Sequence, residues 1–224
     1  MKTDVGEPLD QGHQVGITNA QENNSDLEIA SKSKEMNLAY KSGDYEKAAE
    51  LAVSITAISK DELRDVFVNR GVKIIHLDHE AFGIYKGRFE PTYDLLVDGN
   101  TADILSAARE FGAKHAQQAI LVARILKEGD HGEGARLGAT ITLGKVINSH
   151  EAVAISEEVL NSGFSGATFS PKRQGTIIIY NSQDLGMTNE EFKVAYKVLL
   201  EKFAVDYPDS QLEVGSFMLS LGKP

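Results

Sequence analysis

The segment Lys73–Gly83, KIIHLDHEAFG, places His76, Asp78, His79 and Glu80 within five consecutive residues. Imidazoles and carboxylates are common metal ligands and also the usual proton carriers of hydrolases and transferases. Two chemistries follow. One is a metal centre on His76, Asp78 and His79. The other is a metal-free acid/base group in which Asp78 works with His76 or His79. A third reading needs no chemistry. On a strand from Val72, residues 72, 74, 76 and 78 share one face and 73, 75, 77 and 79 the other. The polar run then marks the point where the strand leaves the sheet. This strand-end reading is the simplest, so no metal or cofactor is expected.

The next candidate is GIYKGRFEPTYDLLVDG, where Tyr85, Lys86, Arg88 and Glu90 surround Gly83 and Gly87 ahead of Pro91. Glycines permit a bulge or a close backbone approach, and Pro91 extends the residue before it. Glu90 near an arginine suits a recognition fork or an acid/base group. A hairpin with a surface salt bridge is the plainer alternative. Tyr85, Arg88 and Glu90 are taken as ligand- or partner-binding candidates. Gln118 joins them, because Gln117 and Gln118 fall where a helix meets the apolar run AILVARIL.

Other polar clusters carry less. Gly129, Gly132, Gly134 and Gly138 do not form Gly-x-Gly-x-x-Gly and precede a strand, so they make no phosphate cradle. Ser165 lies between Gly163 and Gly166 with the wrong spacing for a nucleophile elbow. His115 falls on an apolar helix face, and His131 with Asp130 and Glu133 on a turn.

Three resemblances bear on these segments. IIHLDH resembles the His-x-His-x-Asp-His motif of the metallo-β-lactamase superfamily, with His76, Asp78 and His79 at its last positions. Ile74 stands at the first histidine position, which leaves the ligand set incomplete. NLAYKSGDYEKAAELA resembles half of a tetratricopeptide repeat; without a second copy it reads as an αα-hairpin. Residues 82–181, with Gly-x-Tyr-x-Gly-x-x-Glu-Pro, Gly-Ala-Thr-Phe and Ile-Ile-Ile-Tyr-Asn, look like uncharacterised proteins of tailed phages and mobile elements. That likeness implies an accessory role in a virion or in infected host cytoplasm, and no activity.

The elements that must position these residues follow from periodicity. Residues 1–25 hold few large apolar side chains and are expected to be a disordered arm. Residues 26–71 read as an αα-hairpin, broken at Ser42-Gly43-Asp44, plus a helix capped by Ser59 with Glu62. Residues 72–224 read as an α+β domain with the strands VKIIHL, FGIYKGR and TYDLLVD, then a helix from Asn100 or Thr101. Asn148 or Ser149 caps one later helix, and Thr188 with Glu191 forms a capping box for another. The predicted fold is α+β: a mixed, largely antiparallel sheet with helices mainly on one face, preceded by a short helical N-terminal region.

Composition narrows the function. The chain has 224 residues, no cysteine and a formal net charge of −10. Thiolate catalysis and cysteine zinc sites are excluded. The charge argues against nucleic acid, since the basic pairs Lys86/Arg88 and Lys172/Arg173 are small. No run approaches the ~20 apolar residues of a membrane span, so a cytoplasmic protein is expected. The leading expectation is a non-catalytic, acidic interaction protein whose charge suits a basic protein partner. The alternative is a small hydrolase or transferase using His76, Asp78, His79 and Glu90.

Overall fold

The computed structural model describes residues 12–114, 120–125, 136–164, 166–170, 175–180 and 187–221. Helix α1 (Gly12–Ser42) starts inside the expected arm and leads to α2 (Tyr45–Asn69). Gly43 makes the turn between them at φ +84°, and Asp44 accepts a hydrogen bond from the Lys47 N–H at 3.2 Å. Ala39, Ala48 and Ala52 are buried at this junction; small side chains let the helices approach.

The expected break at Ser59 is absent, and α2 runs on for 25 residues. Ser59 is buried and lies 2.7 Å from the Tyr93 hydroxyl. The Tyr93 proton goes to the Thr56 carbonyl at 2.9 Å, so Ser59 is the donor to Tyr93. The Ser59 hydroxyl thus serves a distant strand instead of a helix N-terminus, and nothing interrupts the helix.

Strand β1 (Lys73–Tyr85) pairs antiparallel with β2 (Arg88–Asp98). VKIIHL and the start of FGIYKGR, expected to be two strands, are one strand of 13 residues. Two register shifts, between Ile74 and His76 and between Asp78 and Ala81, absorb the polar run without ending the strand. The turn falls at Lys86 and Gly87, with φ +49° and +74°, the left-handed pair that a tight hairpin requires.

Helix α3 (Thr101–Lys114) crosses over to β3 (Ile120–Ile125), which is parallel to β2. The chain continues through β4 (Arg136–Thr142), α4 (Ser149–Asn161), β5 (Gly166–Ser170), β6 (Thr176–Tyr180), α5 (Asn189–Asp206) and β7 (Gln211–Leu221). Both expected caps form capping boxes, Asn148 with Glu151 and Thr188 with Glu191.

The fold is α+β, and the sheet closes into a barrel in the order β1-β2-β3-β7-β4-β6-β5. The β2·β3 pair is parallel and the other six are antiparallel. The ring contains two similar units. In β1-β2-α3-β3 and in β5-β6-α5-β7, a hairpin is followed by a helix and a strand parallel to the hairpin's second strand. Strand β4 is inserted between β6 and β7. Each junction pairs equivalent strands antiparallel, β1 with β5 and β3 with β7, as two-fold pseudosymmetry requires.

The apolar core lies between the barrel's outer face and the helices. Ile29, Met36, Ala48 and Ile55 of α1 and α2 pack with Phe82, Phe89 and Phe169 of the strands. A second cluster joins Leu63, Val66 and Phe67 of α2 to Tyr93, Leu95 and Val97 of β2 and to Phe111 of α3. Burying such side chains contributes about 1.5–3 kcal/mol each.

Two outcomes test this account. A Cβ on Gly166, whose φ is +150°, would fall 2.8 Å from the Tyr85 Cα, and backbone cannot move aside cheaply. Gly166→Ala is expected to lower the unfolding free energy in urea by about 1–3 kcal/mol. Burial pushes the Tyr93 hydroxyl well above the ordinary tyrosine range, against a smaller pull from the Ser59 hydrogen bond. Its contribution is complete below about pH 10, where unfolded tyrosine is neutral, and declines as pH rises further. Urea midpoints measured between pH 8 and 11.5 should fall less steeply for Tyr93→Phe than for the parent.

Candidate functional site

Six of the seven candidate residues, Tyr85, Arg88, Glu90, His76, Asp78 and His79, lie on the β1–β2 hairpin; Gln118 lies outside the described residues. So do Gln117, His115, His131 with its glycine-rich turn, Ser165, Lys172 and Arg173.

Strand β2 alternates from Phe89 to Leu95. Phe89, Tyr93, Leu95 and Val97 join the apolar clusters, while Glu90, Thr92 and Asp94 are buried on the opposite face. Side chains alternate across a strand, so the second set faces the barrel interior. Register carries this face around the ring. Glu90 is the partner of Gly83, Gly83 of Thr168, Thr168 of Ile178, and Ile178 of Thr140. Two levels on, past Thr92, Asp78 is the partner of Asp94.

On β1, β2 and β5 this inner face is thus largely polar and hydrogen-bonded, with the apolar Ile178 of β6 beside it. The Ser170 hydroxyl donates to Asp78 Oδ2 at 2.7 Å, and the Glu80 N–H donates to Asp78 Oδ1 at 2.8 Å. The hydroxyls of Tyr85 and Thr168 bond each other. The Thr92 hydroxyl donates to the Glu90 carbonyl at 3.2 Å. A Cβ on Gly83 would lie 2.9 Å from Tyr85 Cδ2, so the tyrosine ring occupies the space that Gly83 vacates. Burial of the Tyr85 hydroxyl demands such a partner, and the half-buried Asp78 carboxylate gains two.

The surface salt bridge expected for Glu90 is corrected by this arrangement. The Glu90 side chain is 8% exposed, and Arg88 Nε stands 3.8 Å away on a side chain that is 65% exposed. Only the arginine is at the surface, because the β2 alternation turns Glu90 inward.

The polar residues do not converge. Glu90 and Asp78 lie on levels four β2 residues apart, about 13 Å at the usual strand rise. His76 pairs with Leu96, two residues beyond Asp94, and is exposed. His79 is half-buried in the second irregularity, and its carbonyl accepts from the Thr56 hydroxyl. Acid/base partners must lie within about 3 Å of the proton they move, which this spread forbids for the set as a whole. Among the described residues no group of three or more His, Asp or Glu could hold a metal ion. The expectation that His76 and His79 lie where a strand frays is also amended. The strand continues, and only the side chain of His76 is exposed.

A groove of about 370 Å³ opens on the other side of β1, between α2 and the start of α4. Glu46, Glu50 and Glu80 border it, and Phe82 and Ile147, both buried, form part of its lining. No lysine or arginine lines it. Glu46 also lies 3.9 Å from His150. Sequence reasoning missed this groove, since its acids come from positions 34 residues apart. Thr168 and Ser170 were missed too, although the β2 alternation of buried polar residues was a readable signal for the interior they share.

No family model matches the chain, and no curated protein or solved structure matches it. No described helix is long and apolar enough to cross a membrane.

Removing a donor from the half-buried Asp78 carboxylate has a measurable cost, whereas an exposed imidazole contributes little. Ser170→Ala is expected to lower the unfolding free energy by about 0.5–1.5 kcal/mol. His76→Ala should stay within about 0.5 kcal/mol of the parent. Parallel urea titrations compare the two.

Proposed function

We propose that this chain is a non-catalytic, acidic interaction protein that binds a basic segment of a protein partner in the groove between α2, β1 and α4. The carrying observation is the combination of Glu46, Glu50 and Glu80 with the apolar wall of Phe82 and Ile147. A lysine or arginine suits such a lining: its stem lies on apolar surface while its charge stays among the carboxylates.

The electrostatic balance favours a cation. The first turns of α2 and α4 border the groove, and each helix start carries about half a positive charge. Three carboxylates outweigh those two ends. The net charge of −10 adds a long-range attraction for basic partners. The spread of His76, Asp78, His79 and Glu90 supports binding over a hydrolase or transferase. The likeness of residues 82–181 to phage and mobile-element proteins is the ground for placing it in a virion or in host cytoplasm.

Fluorescence anisotropy with a labelled peptide of alternating arginine and alanine tests the groove, with a glutamate–alanine peptide as control. The basic peptide should bind, and more weakly as salt rises. The combined Glu46→Gln, Glu50→Gln and Glu80→Gln variant should bind it at least tenfold more weakly. Equal affinity of parent and variant would sink the proposal.

A further inference from the structure

The barrel is closed along only part of β1. Strand β2 pairs with β1 from Lys73 to Tyr85, but β5 pairs only with Phe82–Tyr85. Helix α2 reaches the free side at His79, whose carbonyl accepts from the Thr56 hydroxyl. Between Lys73 and Leu77, about 17 Å of strand, no strand among the described residues is paired on that side. Such an edge presents unpaired backbone N–H and C=O groups.

A cleft of about 500 Å³ runs along this edge, between β1 and the end of α2. Its lining combines two features. Ile75 and Val68 are apolar and exposed, at 43% and 61%. Ile75 is the extra residue of the register shift between Ile74 and His76, a device that re-aims a side chain. Arg64, Lys73 and His76 supply basic groups, and no aspartate or glutamate lines the cleft. In a chain with 33 acidic and 23 basic residues, that is a local inversion of sign. Arg64 lies 3.4 Å from Asp61 in an exposed pair of the kind that contributes little.

We propose that the Lys73–Leu77 edge of β1 is a strand-addition site for an extended, acidic segment of a partner protein. Main-chain hydrogen bonds to the edge supply the affinity, as in other strand additions. Alternate side chains of the added strand meet Ile75 and Val68, and its carboxylates meet Arg64 and Lys73. A second copy of this chain fits the edge less well, because self-pairing would bring Lys73 and His76 of two like edges together. The site is separate from the acidic groove and takes a partner of opposite charge.

The probe is a labelled octapeptide of alternating glutamate and valine, added to the full chain and read by anisotropy and by amide hydrogen exchange. Saturable binding is expected, with exchange at residues 73–77 slowed at least tenfold. An octapeptide N-methylated at alternate amides should not bind. The Arg64→Glu, Lys73→Glu variant alters only exposed side chains. It should bind the acidic peptide at least tenfold more weakly while keeping its circular dichroism and its affinity for the basic peptide. Absence of saturable binding overturns the proposal. So does binding unchanged in the variant or by N-methylation, and so does slowed exchange at this edge caused by dimerisation without peptide.

Discussion

The Asp78 carboxylate takes one hydrogen bond from Ser170 of β5 and another from the Glu80 backbone. It is half-buried just beyond the stretch of β1 that β5 pairs with, at the level of the fully buried Asp94. Moving the buried carboxylates of Glu90 and Asp94 into the apolar layer would be strongly unfavourable, so these strands must hold their register. A slip of one residue would turn Glu90, Thr92 and Asp94 into the apolar layer and Phe89, Tyr93 and Leu95 into the polar one. Register in this fold is therefore enforced from both faces of β2 at once.

That two-sided demand explains the placing of the helices. The outer faces of β1 and β2 carry large apolar side chains, and α1, α2 and α3 cover them. The tie between layers is partly polar, through Ser59, Tyr93 and the Thr56 carbonyl. Stacked rings of Phe82 with Phe89, 4.9 Å between centroids, and of Phe82 with Phe169 bind hairpin to hairpin on the same outer surface.

The same hairpin gives the molecule two surfaces of opposite sign. Beyond the reach of β5, β1 leaves an edge beside Arg64 and Lys73. Nearer the barrel, Glu80 and Phe82 face the groove bordered by Glu46 and Glu50. A strand longer than its neighbour makes this geometry possible. The two irregularities at Ile75 and near His79 let β1 extend past the barrel while its core residues keep their level.

Local signals in the sequence determined much of the secondary structure. The capping boxes at Asn148 and Thr188 and the α3 face of Ile104, Ala107, Ala108 and Phe111 depend on residues within a few positions of one another. So does the polar–apolar alternation of β2, which placed a strand there without saying that both faces are buried. Tertiary structure decided the rest. Pairing Phe82 with Phe169 joins residues 87 positions apart, and it converts a sheet into a barrel and Glu90 from a surface group into an interior one. Tyr93 draws Ser59 into the middle of α2, where its spacing with Glu62 had suggested a start. Local patterns fix which backbone shapes are cheap, whereas closure and burial depend on which distant side chains can satisfy one another.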